Sequence, residues 1–494
     1  MDIENNESTD YRQIRLNKLD EVRKLGIEPY PSDFRKSAKA KDILTKHANL
    51  TPGEKTEDFV SVAGRVMSIR NSGMFIDLHD DSDKIQVFSH KSNLSELQQE
   101  LLKTLDLGDI IGVKGIVRST PRGEITVDSS EVILLSKSLL TLPEKYHGLQ
   151  DVEIRYRQRY VDLIVNEKSR EILRKRSAII SALRSYLVDL EFLEVETPML
   201  HPIPGGAIAK PFITHHNTLD MELYLRIAPE LYLKKLLVGG LSEKIFEINR
   251  CFRNEGISTR HNPEFTSIEI YQAYVSFEEM IDLTENVINS IVKKVNGSNE
   301  VTYGDKTLHF TSPWKRDSMS NLVLEKTGVD FMKIHSNEEA REAATKLGVK
   351  IEKSFGWGKS LEAVFAEKVE DSLIDPIHIT HLPTEISPLA KVCSHDPRIT
   401  ERFETYINGW EIANGFSELN DPIDQHNRFK QQDAARSAGD DEAHHIDLDF
   451  ITALEYAMPP AGGLGIGLDR LVMILTNSLS IREVIAFPTM RHKN

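Results

Sequence analysis

The 494-residue chain carries only two cysteines, Cys251 and Cys393, at no metal-ligand spacing and in no disulfide framework. Zinc-ribbon and secreted disulfide scaffolds are thereby set aside, and both thiols are expected to be small buried residues in a reducing compartment. The histidine pairs His215–His216 and His444–His445 have no cysteine or spaced histidine partner to complete a zinc site, so they are expected to be structural or solvated. No apolar run approaches the roughly 18 to 20 residues a membrane-spanning helix needs, and the start MDIENNESTDYRQ lacks the basic and apolar parts of a secretion signal. The cytoplasm is the expected compartment, with no membrane partner. A P-loop is absent, and GGLGIG is rich in glycine without the acidic residue and context of a Rossmann turn. Positive charge is also scarce: 61 Lys and Arg stand against 76 Asp and Glu, a net of −15. A field of that sign repels phosphate backbones, so a nucleic-acid partner would need local basic patches. One candidate is a helix from about Tyr11 to Gly26 on which Arg12, Arg15 and Lys18 recur; a solvated helix face is an equal reading.

What remains is a globular composition, 40% hydrophobic and 28% charged, with length enough for several domains. From about Phe59 to Leu135 short strands alternate with turns (VSVAGRVMSIR, GMFIDLHD, KIQVFSH, DIIGVKGIVRS, EITVDSSEVILL), and a helix over Leu94 to Leu105 falls between the third and fourth. That pattern predicts a five-stranded OB-fold barrel, a class that commonly binds single-stranded nucleic acid. A connector with Pro143, Arg155, Arg157 and Arg159 follows, then helical periodicity from Glu167 to Leu190. The region 311–377 reads as a helical insertion, with runs at Asn337 to Leu347 and Lys359 to Ser372. Strands then return, with helices beside them, which suits an antiparallel α+β sheet rather than a doubly wound one. The expected domains are an N-terminal helical segment (1–55), the barrel (56–141), a linker (142–162) and an α+β domain (163–494).

The densest chemistry lies in FEINRCFRNEGISTRHNPEFTSIEIYQAY, Phe246 to Tyr274, a strand, a charged loop and a second strand. Phe246, Ile248, Arg250 and Phe252 alternate along the first strand, and Phe265, Ser267, Glu269 and Tyr271 along the second, so each set shares a face and the pair is expected to form the floor of a site. Arg253 offers a planar fork to a carboxylate or phosphate, Glu255 can accept from an exocyclic amine, and Phe265 presents a ring to a purine. Adenosine triphosphate is the expected ligand.

FRNEG with RHNPEFT closely resembles motif 2 of class II aminoacyl-tRNA synthetases, GLGIGLDRLVMIL (Gly463 to Leu475) resembles motif 3, and LEFLEVETPML (Leu190 to Leu200) is similar to motif 1, with Pro198 as its proline. RYRQRYVDLI, PGGAIAKPFITHHN, LRIAPELYL and NGFSELNDP narrow the resemblance to the bacterial-type lysyl-tRNA synthetases, over nearly the whole chain. The resemblance implies activation of L-lysine by ATP with Mg2+, transfer to the 3′-terminal ribose of tRNA(Lys), and a homodimer built on motif 1. It further implies that Arg253 bridges the amino-acid carboxylate and the α-phosphate, that Arg470 sits near the adenine and γ-phosphate, and that Glu255, His261 and Phe265 hold the nucleotide. Glu404 and Glu411 match magnesium-binding carboxylates. Glu269, Tyr271 and Glu418 match the residues that receive the side-chain ammonium, Glu230 and the Gly206 carbonyl those for the α-amino group, and Asn414 and Phe416 those that contact the carboxylate end and wall the pocket. In the barrel, Arg70, Phe75, Gln86 and Glu124 match anticodon-reading positions. An aspartate- or asparagine-specific relative would share barrel and motifs, but an aspartate pocket would require a cation where lysine requires carboxylates.

Overall fold

The computed structural model describes residues 2–143, 149, 151–207, 209–437 and 446–491. The His444–His445 pair lies outside them, as does part of the 142–162 connector. The chain divides into two compact units, 1–150 and 151–494.

In the first unit, β1 (Lys55–Arg70), β2 (Phe75–His79), β3 (Lys84–Phe88), β4 (Ile110–Ser119) and β5 (Ile125–Ser136) close a barrel in the order β1-β2-β3-β5-β4, with β3 and β5 parallel. Period-2 alternation sends Ile76, Leu78, Ile85, Val87, Val113 and Val127 into one core and turns their neighbours outward. The 16-residue β1 serves two neighbours because a bulge between Val66 and Ser68 bends it. The helix between β3 and β4 runs Glu96–Thr104 and is capped by the Ser95 hydroxyl, which accepts from Gln98 N.

The N-terminal helix, Asp2–Lys24, stops before Gly26, whose φ of 75° suits a residue without Cβ. Two of its cations are engaged by the segments that flank the barrel strands: the Arg15 guanidinium donates to the carbonyls of Leu107, Ser138 and Leu140, and Lys18 pairs with Asp106 at 2.6 Å, while Arg12 is exposed. Neither reading of that face anticipated a buried Arg15. Behind these groups Lys137 is fully buried, with Nζ donating to Thr104 O at 2.6 Å, Asp106 at 2.7 Å and Asp109 at 2.8 Å.

In the second unit an eight-stranded sheet runs in the order Lys315–Ser318, Ile377–Thr380, Arg402–Ile407, Trp410–Ser417, Ala461–Gly467, Glu264–Ala273, Lys244–Phe252, Leu193–Glu194. Its two edge pairings are parallel and the rest antiparallel. The edge strand Lys315–Ser318 comes from the region read as a helical insertion, which otherwise carries helices at Met319–Thr327, Asn337–Lys346 and Trp357–Lys368. On one sheet face the helices Glu167–Asp189, Phe277–Asn296 and Leu468–Leu475 bury a common core with Phe246, Ile268, Ile270 and Phe403. The Phe277–Asn296 helix begins in a capping box of Ser276 and Glu279 and ends at Gly297, φ 72°. No helix among the described residues is long and apolar enough to cross a membrane.

Lys137→Met removes the ammonium that pairs with the fully buried Asp109 side chain. An uncompensated buried charge costs about 3–5 kcal/mol, so the variant is expected to lose stability by that amount in urea unfolding. A loss below about 1 kcal/mol would show that Lys137 is not what holds this layer.

Candidate active site

The sheet face away from the helix core floors a cavity of about 360 Å³. The register pairs Cys251 with Phe265, Asn249 with Ser267 and Glu247 with Glu269, so these residues share the cavity side. Phe265, Ser267, Glu269 and Tyr271 line it as one alternating set. The corresponding expectation for the first strand needs correction: Phe246 and Ile248 pack into the helix core, and the odd-numbered residues point the other way, ending in Cys251 and Arg253 on the cavity wall. Both faces of this strand are buried, so its apolar alternation marked the core side rather than the site. Burial, and then the Glu269 carboxyl, pushes the Cys251 thiol up to about 12, which leaves it inert as a nucleophile.

At one end of the cavity Glu230, Glu269, Tyr271, Asn414, Phe416 and Glu418 converge with Gly206. The motif 3 strand makes room for them: a Cβ on Gly463 would lie 2.7 Å from the Tyr271 ring and closer still to Glu418 Oε1. Tyr271 Oη donates to Glu269 at 2.9 Å. Glu269 and Glu418 are 9% and 2% exposed, so their charges are shielded from bulk water. Burial, then the neighbouring Glu230, raises Glu269 to about 8 despite the Tyr271 hydroxyl.

The sequence reading missed the cation in this cluster. Lys234, one helical turn after Glu230 on the helix Glu230–Val238, is completely buried, donates to Glu230 Oε1 at 2.6 Å and contacts Glu418 Oε2. Burial alone would lower its ammonium, but Glu230 and Glu418 outweigh that and hold it above its ordinary value. Glu418 is raised by burial first, with Lys234 opposing. The signal available beforehand was the spacing of Glu230 and Lys234 in ELYLK, which places both on one helix face.

The other end is lined by Arg253, Glu255, His261, Phe265, Glu411 and Arg470. The Arg253 guanidinium lies 5.0 Å from the Phe265 ring centroid, and its Nε is buried without an acceptor among the described residues. Arg470 Nη1 donates to the Glu411 carbonyl at 2.8 Å and Nη2 to His261 Nε2 at 3.0 Å. Burial, then Arg470, lowers His261, so its ring is a neutral acceptor. The motif 3 helix is anchored through Asp469, which pairs with Arg176 and accepts from Thr266 N at 2.8 Å.

Glu404 is not on the cavity wall. Its oxygens accept from Arg402 at 2.7 Å and the Tyr406 hydroxyl at 3.2 Å. Burial raises it to about 7, with Arg402 opposing and Glu411 and Glu362 adding. Arg402 also reaches Asn414 Oδ1 at 2.9 Å, linking these carboxylates to the pocket. Among the described residues no group of three or more His, Cys, Asp or Glu is placed to hold a metal alone.

In the barrel, Arg70, Phe75, Gln86 and Glu124 come together on the outer surface of β1, β2, β3 and the turn before β5. Arg70 forms a two-pronged pair with Asp77, both contacts 2.9 Å. Phe75 sits 5.0 Å from Phe88, and Gln86 Nε2 donates to Glu124 at 3.1 Å. Phe88, with Arg118 lying 4.3 Å over its ring, extends this patch beyond the residues the sequence picked out.

Comparison with known proteins places this geometry. The family model "tRNA synthetases class II (D, K and N)" matches residues 151–491, and "OB-fold nucleic acid binding domain" matches residues 60–135. The chain is 53% identical to the lysine–tRNA ligase of Sinorhizobium medicae over 99% of this chain and 98% of that one. It is 54% identical to that of Carboxydothermus hydrogenoformans over the full length of both, and 52% to that of Syntrophomonas wolfei over 98% of each. With both motif strands flooring one cavity and identity of this order running end to end, the chain belongs to the class II tRNA synthetases, in the lysine–tRNA ligase family.

Proposed function

We propose that the chain is an ATP-dependent lysine–tRNA ligase that activates L-lysine in the cavity described and passes it to tRNA(Lys) for protein synthesis in the cytoplasm. One observation supports the choice of amino acid above the rest. At the closed end three carboxylates, Glu230, Glu269 and Glu418, meet a single ammonium, Lys234. The cation that an aspartate pocket would need is thus present but outnumbered, and the surplus negative charge suits a substrate with two ammonium groups.

In this reading Glu269, Tyr271 and Glu418 hold the side-chain ammonium, while Glu230 and the Gly206 carbonyl take the α-amino group. Asn414 and Phe416 wall the pocket. The substrate carboxylate then lies toward Arg253, whose unpaired buried Nε makes it a receptor for anionic oxygen. The carboxylate oxygen attacks the α-phosphorus of ATP, forming the mixed anhydride while the bond to the β-phosphate breaks and pyrophosphate leaves. The nucleophile is already ionised, so Arg253 and Arg470 act by placement and neutralisation of charge. Glu255, His261 and Phe265 hold the nucleotide. Glu411, with Glu404 behind it, would offer hard oxygen donors to a magnesium ion bound with ATP, which would neutralise phosphate charge there. In the second step the 3′-hydroxyl of the terminal ribose attacks the lysyl carbonyl and AMP departs.

The barrel patch of Phe75, Gln86, Glu124 and Arg70 reads the anticodon: a ring for stacking at about 1 to 3 kcal/mol per base, and amide and carboxylate groups for base edges. A homodimer is part of the same proposal. Motif 1 leaves Val188, Leu190, Leu193, Met199 and Leu200 exposed, an apolar strip suited to a second copy. Light scattering is expected to give twice the chain mass; a monomer at micromolar concentration would refute it.

ATP–pyrophosphate exchange with lysine, aspartate and asparagine tests the assignment, and lysine alone is expected to support exchange. Glu418→Gln should weaken lysine use several hundredfold, as loss of one member of a buried charge set costs about 3–5 kcal/mol. Unchanged lysine activation would refute the pocket.

Burial and then Glu230 push Glu269 up to about 8, and it must be ionised to face an ammonium. Lysine binding at about pH 7 is therefore expected to release protons, and affinity to rise with pH until it levels above about 8. Calorimetry in two buffers of different ionisation enthalpy measures this. Equal heats would show that Glu269 does not change protonation on binding.

A further inference from the structure

We propose that Lys234 is a positioning residue for substrate selection: its ammonium takes one oxygen from Glu230 and one from Glu418, holding their remaining oxygens ready for the two ammonium groups of lysine. This rests on the lysine pocket proposed above. The pairing uses Glu230 Oε1 and Glu418 Oε2. Glu418 Oε1 remains buried, over Gly463, without a hydrogen-bond donor among the described residues. Glu230 and Glu418 come from a helix and from the end of a strand far apart in sequence, and Lys234 is the group that touches both.

The electrostatics require such a group. Three ionised carboxylates buried together would carry three negative charges, and in so dry a site one of them would take up a proton and become a poor acceptor for an ammonium. A permanent cation reduces that cost, and once bound lysine has drawn the proton from Glu269 the set carries two negative charges, which equals the two positive charges of L-lysine. The Lys234 stem crosses the pocket wall between rings, with Nζ 5.2 Å from the Phe416 centroid and 5.9 Å from that of Phe450, so the ammonium keeps favourable contacts on its apolar sides. It is fully buried and its raised pKa keeps it charged, so it serves as a fixed countercharge and not as a base.

Full-length Lys234→Met, Glu418→Gln and the double variant separate this role from a merely structural one in ATP–pyrophosphate exchange. Lys234→Met is expected to raise the KM for lysine at least about tenfold while the KM for ATP moves less than about twofold. In the Glu418→Gln background the same replacement is expected to change the lysine KM by less than about threefold, because the Glu418 charge it holds in place is already gone and only its contact with Glu230 is left to lose. That second comparison also decides the matter if the single variant does not fold, since the double removes the pair together. A wild-type lysine KM in folded Lys234→Met, a parallel rise in both KM values, or a tenfold change in the Glu418→Gln background would overturn the proposal. Absence of lysine-dependent exchange in the wild type would instead remove the functional reading on which it stands.

Discussion

Glu230, Lys234 and Glu418 form a buried ion set whose stability depends on each member being present. Taking a carboxylate out of water is costly, and the cost is offset only by a partner in contact and by hydrogen bonds to the oxygens left over. Lys234 supplies contact to two of the three carboxylates, and the Tyr271 hydroxyl supplies a bond to the third, Glu269. One oxygen of Glu418 is left without a donor among the described residues, so the pocket carries an unmet demand for one. A ligand ammonium is the group that meets it, and under the proposed function this is how binding energy becomes selectivity.

The rest of the second unit serves to hold that arrangement still. The sheet has a dry face, where three helices bury Phe246, Ile268 and Ile270, and a cavity face, where alternate residues of the same strands carry the polar chemistry. Because side chains alternate with period 2, the packing that anchors Ile268 and Ile270 also fixes the direction of Ser267, Glu269 and Tyr271. The motif 3 strand contributes by lacking side chains: Gly463 admits Glu418 and Tyr271 to the same small volume. Asp469, held by Arg176 and Thr266 N, aligns the helix that presents Arg470 at the opposite end.

The barrel solves a related problem with the opposite exposure. Its core is closed by Ile76, Leu78, Val87 and Val127, and the outward residues between them, Phe75, Gln86 and Phe88, form a platform. Gln86 is tied to Glu124 and Thr126, and Arg70 to Asp77, so the groups that would meet bases are held in place before a partner arrives. The whole-chain charge of −15 does not oppose this, because stacking and base-edge contacts act locally.

Strand alternation, turn residues and the three short motifs were legible in the sequence, and with them the barrel, the antiparallel sheet and the wall of the cavity from Arg253 to Arg470. Local pattern suffices there because side-chain direction in a strand follows from position alone. Reading failed where two apolar faces competed, as in the strand Lys244–Phe252, and where a charged residue is satisfied by groups distant in sequence. Arg15 looked like a surface cation and is bound to the carbonyls of Leu107, Ser138 and Leu140, which lie 92, 123 and 125 residues along the chain. The amino-acid sequence by itself determined the family, the barrel and the antiparallel character of the larger sheet. Only the tertiary structure decided the charge state of the buried carboxylates, because burial and the approach of Lys234 to Glu418, 184 residues further along the chain, are set by how a helix and the end of a strand come to pack together, and no local pattern encodes that contact.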